Sequence, residues 1–305
     1  MLEILSHLKK FGVTLILLIG DRLTPRHRLE RVPEPQVSDE TSQVEDYDRV
    51  MESSMSAIYV FCLGLIYRLV PEGEALRVAD ICCGPGQFTK LIKDHLNCQE
   101  LYGVDLSAPM LEKLQKNVPE AKVLRDDMTE LNHFAENGLD LTLAMNCLHH
   151  LPDQSALAQA LAQLDRVTSP SGVVFAFDVA RLKTAWQTHL FTETFGNKGR
   201  EGFEFFHRDF ELSMAAAWSL DELVSACPQS GKRSWYLLSP LGIPSLVGLI
   251  GLPADWRAQL GQKTKASSTS LAVEDLIPPE FHTELRLLRL LMPLSRLKEV
   301  SGSNS

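Results

Sequence analysis

The run Val78-Ala-Asp-Ile-Cys-Cys-Gly-Pro-Gly-Gln-Phe-Thr89 decides the fold. Apolar residues lead up to an acid, a Gly-Pro-Gly turn follows, and Phe88-Thr-Lys-Leu-Ile92 has helical character. That order reads as a buried strand, a tight turn and a helix start. Gly84 and Gly86 let the backbone approach a ligand with no Cβ in the way. The helix opening behind them offers free N–H groups to anionic parts of that ligand. Thr89 stands where a dinucleotide fingerprint has its third glycine, and no Gly-Lys-Ser/Thr follows to make a Walker A loop.

Outward from this loop, Leu101-Tyr-Gly-Val-Asp-Leu-Ser-Ala-Pro-Met-Leu111 is a second apolar strand, ending in Asp105 nineteen positions past Gly86. A carboxylate at the tip of a second strand is placed to accept both hydrogens of a ribose diol. Ser107 then caps a helix with Pro109 in its first turn. Further strands are expected at 121–125, 139–145 and 172–178, with Asp153 capping the helix between the last two. Strands alternating with helices at this interval mean a parallel sheet wrapped on both sides.

These residues resemble the class I S-adenosylmethionine-dependent methyltransferases, especially the branch acting on small molecules. The family's first motif reads acid-x-Gly-x-Gly-x-Gly; here it is Asp80-Ile-Cys-Cys-Gly84-Pro-Gly86, with Cys82 in place of the first glycine. The match continues through Asp105, through Leu124-Arg-Asp-Asp-Met128 and through Leu143-Ala-Met-Asn-Cys-Leu-His-His-Leu-Pro-Asp153. It ends near Ser169-Pro-Ser-Gly-Val-Val-Phe-Ala-Phe-Asp178. The resemblance implies an α/β, doubly wound, mainly parallel Rossmann-like sheet with S-adenosylmethionine across the carboxyl ends of its strands. Asp80 would face the cofactor's ammonium or sulfonium side, and the loop of Cys82, Gly84 and Gly86 would lie along its methionine and ribose. Asp105 would hold the ribose hydroxyls, and Leu106 and Met110 would flank the adenine. Asp127 aligns with the acid that reads the adenine amino group, although Asp126 beside it is an alternative; Met128 would supply a backbone N–H. The Asn146 carbonyl would reach the methionine amino group.

The implied reaction is methyl transfer to a small or medium-sized acceptor, partly apolar and open to a hydroxyl. For such an acceptor His149, ahead of His150, is the candidate base, with Asp178 to orient it. A peptide or protein acceptor, and a regulatory module that binds the cofactor without turnover, are the alternatives. Asn146 is followed by Cys147 and Leu148, so the Asn/Asp-Pro-Pro-aromatic motif of exocyclic-amine methyltransferases is absent. The Pro-Cys pair of cytosine-carbon enzymes is absent as well.

The flanks are read more coarsely, as an arm at 1–46, a cofactor-binding domain at 47–240 and a helical extension at 241–305. Val13 to Gly20 is apolar but too short for a span of about 20 residues. It is expected to pack as a buried or oligomer-forming helix, with a membrane surface as the sharper alternative for it and the basic run behind it. Residues 21–46 read as a linker, and a helix is expected over 44–69, with Tyr47 near enough to its start to touch ligand. An aromatic-rich insertion at 181–218 carries Phe191, Phe206 and Phe210, and reads either as a lid or as a flap completing the core. Within it His207 and Arg208, with Asp209 beside them, are candidate substrate contacts, and beyond it Ser219 is expected to cap a helix with Glu222 three residues on. Leu285, Leu288 and Leu291 give the last helix an apolar side suited to its own domain or to a homodimer.

A net charge of −9 argues against a nucleic-acid partner, because phosphate binding wants a basic face. Six cysteines without paired-finger spacing are expected to be reduced thiols of a cytoplasmic protein, and no metal is expected.

Overall fold

A computed structural model of the chain describes residues 2–24, 29–34, 55–196, 203–229, 232–241, 245–258 and 273–300. The strands are β1 (Leu76–Ile81), β2 (Cys98–Asp105), β3 (Lys122–Arg125), β4 (Leu139–Met145) and β5 (Thr168–Val179). After them come β6 (Ser234–Leu238), β7 (Leu246–Leu252) and β8 (Lys298–Glu299). They form one sheet in the order β3-β2-β1-β4-β5-β7-β6-β8. The first five run parallel, while β7 and β6 are antiparallel to their neighbours. The central strand β1 reads buried at every position but one, as a strand covered on both faces must.

Helices α1 (Leu2–Leu23), α2 (Ser56–Leu69), α3 (Gln87–His95), α4 (Ala108–Asn117) and α5 (Gln154–Val167) precede the insertion. Helices α6 (Ala185–Phe195), α7 (Glu204–Ala216), α8 (Leu220–Ala226) and α9 (His282–Leu291) follow. One face of the sheet buries Val78, Leu141 and Phe175 under α2, α3, α4 and α9. The other buries Ile81, Val104 and Val174 under α5 and α8. The expected caps are in place. Ser107 accepts from Met110 N, Asp153 accepts from Ala156 N, and Ser219 with Glu222 closes a reciprocal capping box.

Three regions differ from the sequence reading or qualify it. Of the helix expected over 44–69, Ser56–Leu69 is α2; Tyr47 lies outside the described residues. The stretch after 241, expected to be a helical extension, contains β7, which sits in the sheet between β5 and β6. Its Leu-Val-Gly-Leu-Ile-Gly-Leu run is buried at six of seven positions, so its strand character comes from two hydrogen-bonded neighbours. The insertion is a helical pair. Phe206 stacks on Phe210 at 5.9 Å and enters the main core, while Phe191 packs with Val13 and Leu17 of α1. Among the described residues, no helix is long and apolar enough to cross a membrane.

Candidate active site

Register brings the polar residues to one level. Asp80 lies opposite Gly103 of β2 and Leu143 of β4, so the residues after Ile81, Val104 and Ala144 emerge side by side at the carboxyl end. Met145 pairs with Phe177, which sets Asn146 beside Asp178 on the next step. Asn146 N donates to the Phe177 carbonyl at 2.7 Å and holds that pairing through the turn.

Asp80 is buried, and burial pushes its carboxyl up to about 7. Its Oδ2 accepts from Thr89 Oγ1 at 2.6 Å, whereas its buried Oδ1 has no hydrogen-bond partner among the described residues. A buried acceptor left unpaired is costly, and it marks a place built for a donor that arrives with a ligand. Tyr59 of α2 stands beside Asp80 and Asn146, walling this pocket. Asp105 accepts from Gly84 N and from Ser107 N, each at 2.9 Å. Those bonds tie the loop after β1 to the turn after β2, while burial pushes the Asp105 carboxyl above its ordinary range.

The loop itself is left-handed at three places, Cys82 (φ 56°), Gly84 (φ 53°) and Gly86 (φ 93°). A Cβ on Gly86 would strike Leu114 Cδ1 at 2.3 Å, so that glycine permits close packing of the loop on α4. A Cβ on Gly84 would meet nothing within 4 Å among the described residues, so the loop has an open side there. Cys82, standing where the resemblance expects glycine, adopts glycine's conformation. Replacing it with valine is expected to cost about 1–3 kcal/mol, because β-branching resists this region, while glycine should hold stability within about 1 kcal/mol. Urea midpoints of the two variants check this.

The paired acids after β3 separate. Asp126 has both oxygens engaged, Oδ1 by Asp127 N and Oδ2 by His133 Nδ1 at 2.7 Å. Asp127 commits Oδ1 to Thr129 N and Oγ1, which leaves Oδ2 outside these bonds. Met128 is buried against Cys82, with 3.7 Å between their sulfurs. Met110 is buried in α4, and the Leu106 carbonyl accepts from Arg125 Nε.

On the β4–β5 side, the 3-10 turn Leu148–His150 holds both histidines. His149 is buried; its Nδ1 lies 2.6 Å from Asp178 Oδ1, and its backbone N donates to Asp178 Oδ2 at 3.0 Å. The residue beyond it is Glu34, read from the sequence as linker. Glu34 Oε1 lies 3.2 Å from His149 Nε2 and 2.9 Å from His150 Nδ1. Burial works against an imidazolium here, yet Asp178 and then Glu34 hold His149 at about 10. Burial likewise opposes charge on Glu34, but His149 and His150 hold it down at about 2. Arg31 fixes this segment by donating to the carbonyls of His149, Leu151, Pro152 and Ala216, its guanidinium 3.7 Å from the Trp218 ring centre.

His207 turns elsewhere, with Nδ1 near the Gly196 carbonyl and Nε2 near Glu193 and Glu211, and Arg208 is exposed. Their neighbour Asp209 faces the site from α7, where burial and then Glu34 push its carboxyl up, and Ser213 of the same helix donates to Glu34 Oε1 at 3.4 Å. Arg31, Glu34 and Tyr59 are thus site residues that sequence reasoning did not select.

Residues 78–172 match a family model described as a methyltransferase domain. Over that stretch the chain carries a methyltransferase domain. This methyltransferase domain is 32% identical over 124 residues to the demethylmenaquinone methyltransferase of Lactiplantibacillus plantarum, covering 37% of this chain and 51% of that protein. It is 26% identical over 160 residues to the trans-aconitate 2-methyltransferase of Escherichia coli, covering 50% of this chain and 60% of that protein. The chain therefore spans about half of each curated relative. In fold it is similar to the solved plantazolicin methyltransferase, crystallised with S-adenosylhomocysteine. The TM-score is 0.54 at 16% identity, over 70% of this chain and 90% of that one.

Proposed function

We propose that the chain transfers a methyl group from S-adenosylmethionine to a small or medium-sized, partly apolar acceptor. The observation that carries this reading is the pairing, at one level of the sheet, of the unpartnered Asp80 Oδ1 with the open side of Gly84. Both suit the cofactor: a buried acceptor for its ammonium, and a backbone stretch with room for its methionine and ribose. When bound, the sulfonium supplies a methyl carbon that is already electrophilic.

The chain's own residues then bind, orient and exclude water. Asp105, poised by Gly84 N and Ser107 N, would accept the ribose hydroxyls. Leu106 and Met110 would flank the adenine, and Asp127 Oδ2 and the Met128 N–H would meet its edge. Of the two acids, Asp127 suits this better than Asp126, whose oxygens are both engaged. The Asn146 carbonyl would take a second ammonium hydrogen. For the acceptor, the demethylmenaquinone and trans-aconitate enzymes among its relatives support a small molecule. A base at a hydroxyl acceptor would more readily be His150, whose side chain is 40% exposed, than His149, which already holds its proton between two carboxylates.

Titration of S-adenosylmethionine into the protein, followed by assay for S-adenosylhomocysteine with candidate quinols and carboxylic acids, tests the proposal. Micromolar binding and turnover are expected; no binding would sink the reading. Affinity should also depend on pH with a defined sign. Asp80 must ionise to receive the ammonium, and its folded pKa of about 7 lies above the unfolded 3.8. Affinity should therefore rise several-fold from about pH 6 to pH 7.5, still below the α-amino pKa of about 8. In the free protein the same group lowers stability as pH rises from its unfolded pKa through its folded one. Asp80→Asn should flatten the binding profile.

A further inference from the structure

We propose that Glu34, His149 and His150 form a binding site for a divalent transition-metal cation that pins residues 29–34 onto the loop after β4. One carboxylate oxygen and two imidazole nitrogens lie within 4.8 Å of one another. Metal–nitrogen and metal–oxygen bonds of about 2.1 Å place neighbouring ligand atoms about 3.0–3.4 Å apart, from octahedral to tetrahedral angles. The separations here, 2.9 Å for His150 Nδ1 and 3.2 Å for His149 Nε2 from Glu34 Oε1, fall at that spacing.

At His149 the ion would replace the proton that faces Glu34, and the His150 contact is poorly explained as a hydrogen bond. Among the described residues His150 Nδ1 is buried and makes none, although Glu34 Oε1 is 2.9 Å away. An imidazole nitrogen facing a carboxylate off the hydrogen-bonding line is arranged as two ligands of one ion are. The surroundings also fit. His149 gives its other nitrogen to Asp178 Oδ1 at 2.6 Å, the outer carboxylate that fixes tautomer and ring orientation in metal-bound histidines. Asp209 faces the same cluster from α7 and offers a further oxygen near the cation. Two imidazoles with one carboxylate is a borderline donor set, suited to Zn²⁺, Co²⁺ or Fe²⁺ rather than Mg²⁺. The Arg31 guanidinium is spent on four backbone carbonyls, so it does not occupy the space between the three ligands.

The site does not depend on the methyltransferase reading, and its test reads binding alone. The untagged full chain, stripped with chelator, is titrated with Zn²⁺ by calorimetry and with Co²⁺ by visible absorption. Saturable one-to-one binding tighter than about 10 μM is expected, with a d–d spectrum of N/O ligation. Glu34→Gln and His150→Ala, each with an unchanged far-ultraviolet spectrum, should weaken it at least tenfold. Three outcomes would overturn the proposal: no saturable site, a sulfur-to-cobalt band that moves the ion to the cysteines, or loss of binding in Glu193→Gln. That last variant breaks a second cluster of His189, Glu193 and Glu211 on the insertion.

Discussion

Asp105→Ala is expected to weaken S-adenosylmethionine binding by ten- to a hundredfold while the protein stays folded. Two charge-assisted hydrogen bonds to a ribose diol contribute about 1.5–3 kcal/mol each when made to a partly buried carboxylate. Each 1.4 kcal/mol is tenfold in affinity, so the loss of even one is visible by calorimetry. The variant also frees Gly84 N and Ser107 N, which loosens the loop that has to meet the ligand. Asp105→Asn can keep one acceptor oxygen and should sit between the two. Unchanged binding in the alanine variant, with a native circular dichroism spectrum, would remove Asp105 from the site and with it the proposed orientation of the cofactor.

The second large effect concerns stability alone. Arg233, at the start of β6, has a fully buried side chain and an ion pair with the buried Asp165 of α5, Nε to Oδ1 at 2.5 Å. It also donates to the carbonyls of Gly172, Thr168 and Ser169 at 2.8–3.1 Å. Removing one member of such a pair strands the other charge without water, which costs about 3–5 kcal/mol. Arg233→Met should therefore lower the urea unfolding free energy by up to that amount, through loss of the buried ion pair where α5, β5 and β6 meet. A loss below about 1 kcal/mol would show that solvent reaches Asp165 after all. The Arg233 stem has a packing role as well, since a Cβ on Gly251 would meet Arg233 Cδ at 2.6 Å.

What could be read from the chain in advance depended on how local the signal was. The strand–loop–helix at 76–95, the acid ending β2, and the caps Ser107, Asp153 and Ser219 are each written within a few neighbouring residues, and each is where it was expected. β7 was not legible because its glycine-interrupted apolar run becomes a strand only between β5 and β6. Arg31 and Glu34 were hidden for a similar reason. Their stretch has linker composition, and their partners lie more than 110 positions away. His207, Arg208 and Asp209 were noticed together, but which of them faces the site is set by how α7 packs on the histidine turn. Tyr47 lies among the residues not described.

The two-residue strand β8 has a consequence for the behaviour of the molecule in concentrated solution. β6 ends the main sheet on that side, and Lys298 and Glu299 pair with its Leu237 and Tyr236. An outermost strand with unpaired amides is a template onto which another copy's strand can add. Here the final rung is short and carries one charge of each sign, both side chains exposed to solvent. Growth of the sheet from one molecule into the next is thereby discouraged at the edge beside Tyr236 and Leu237.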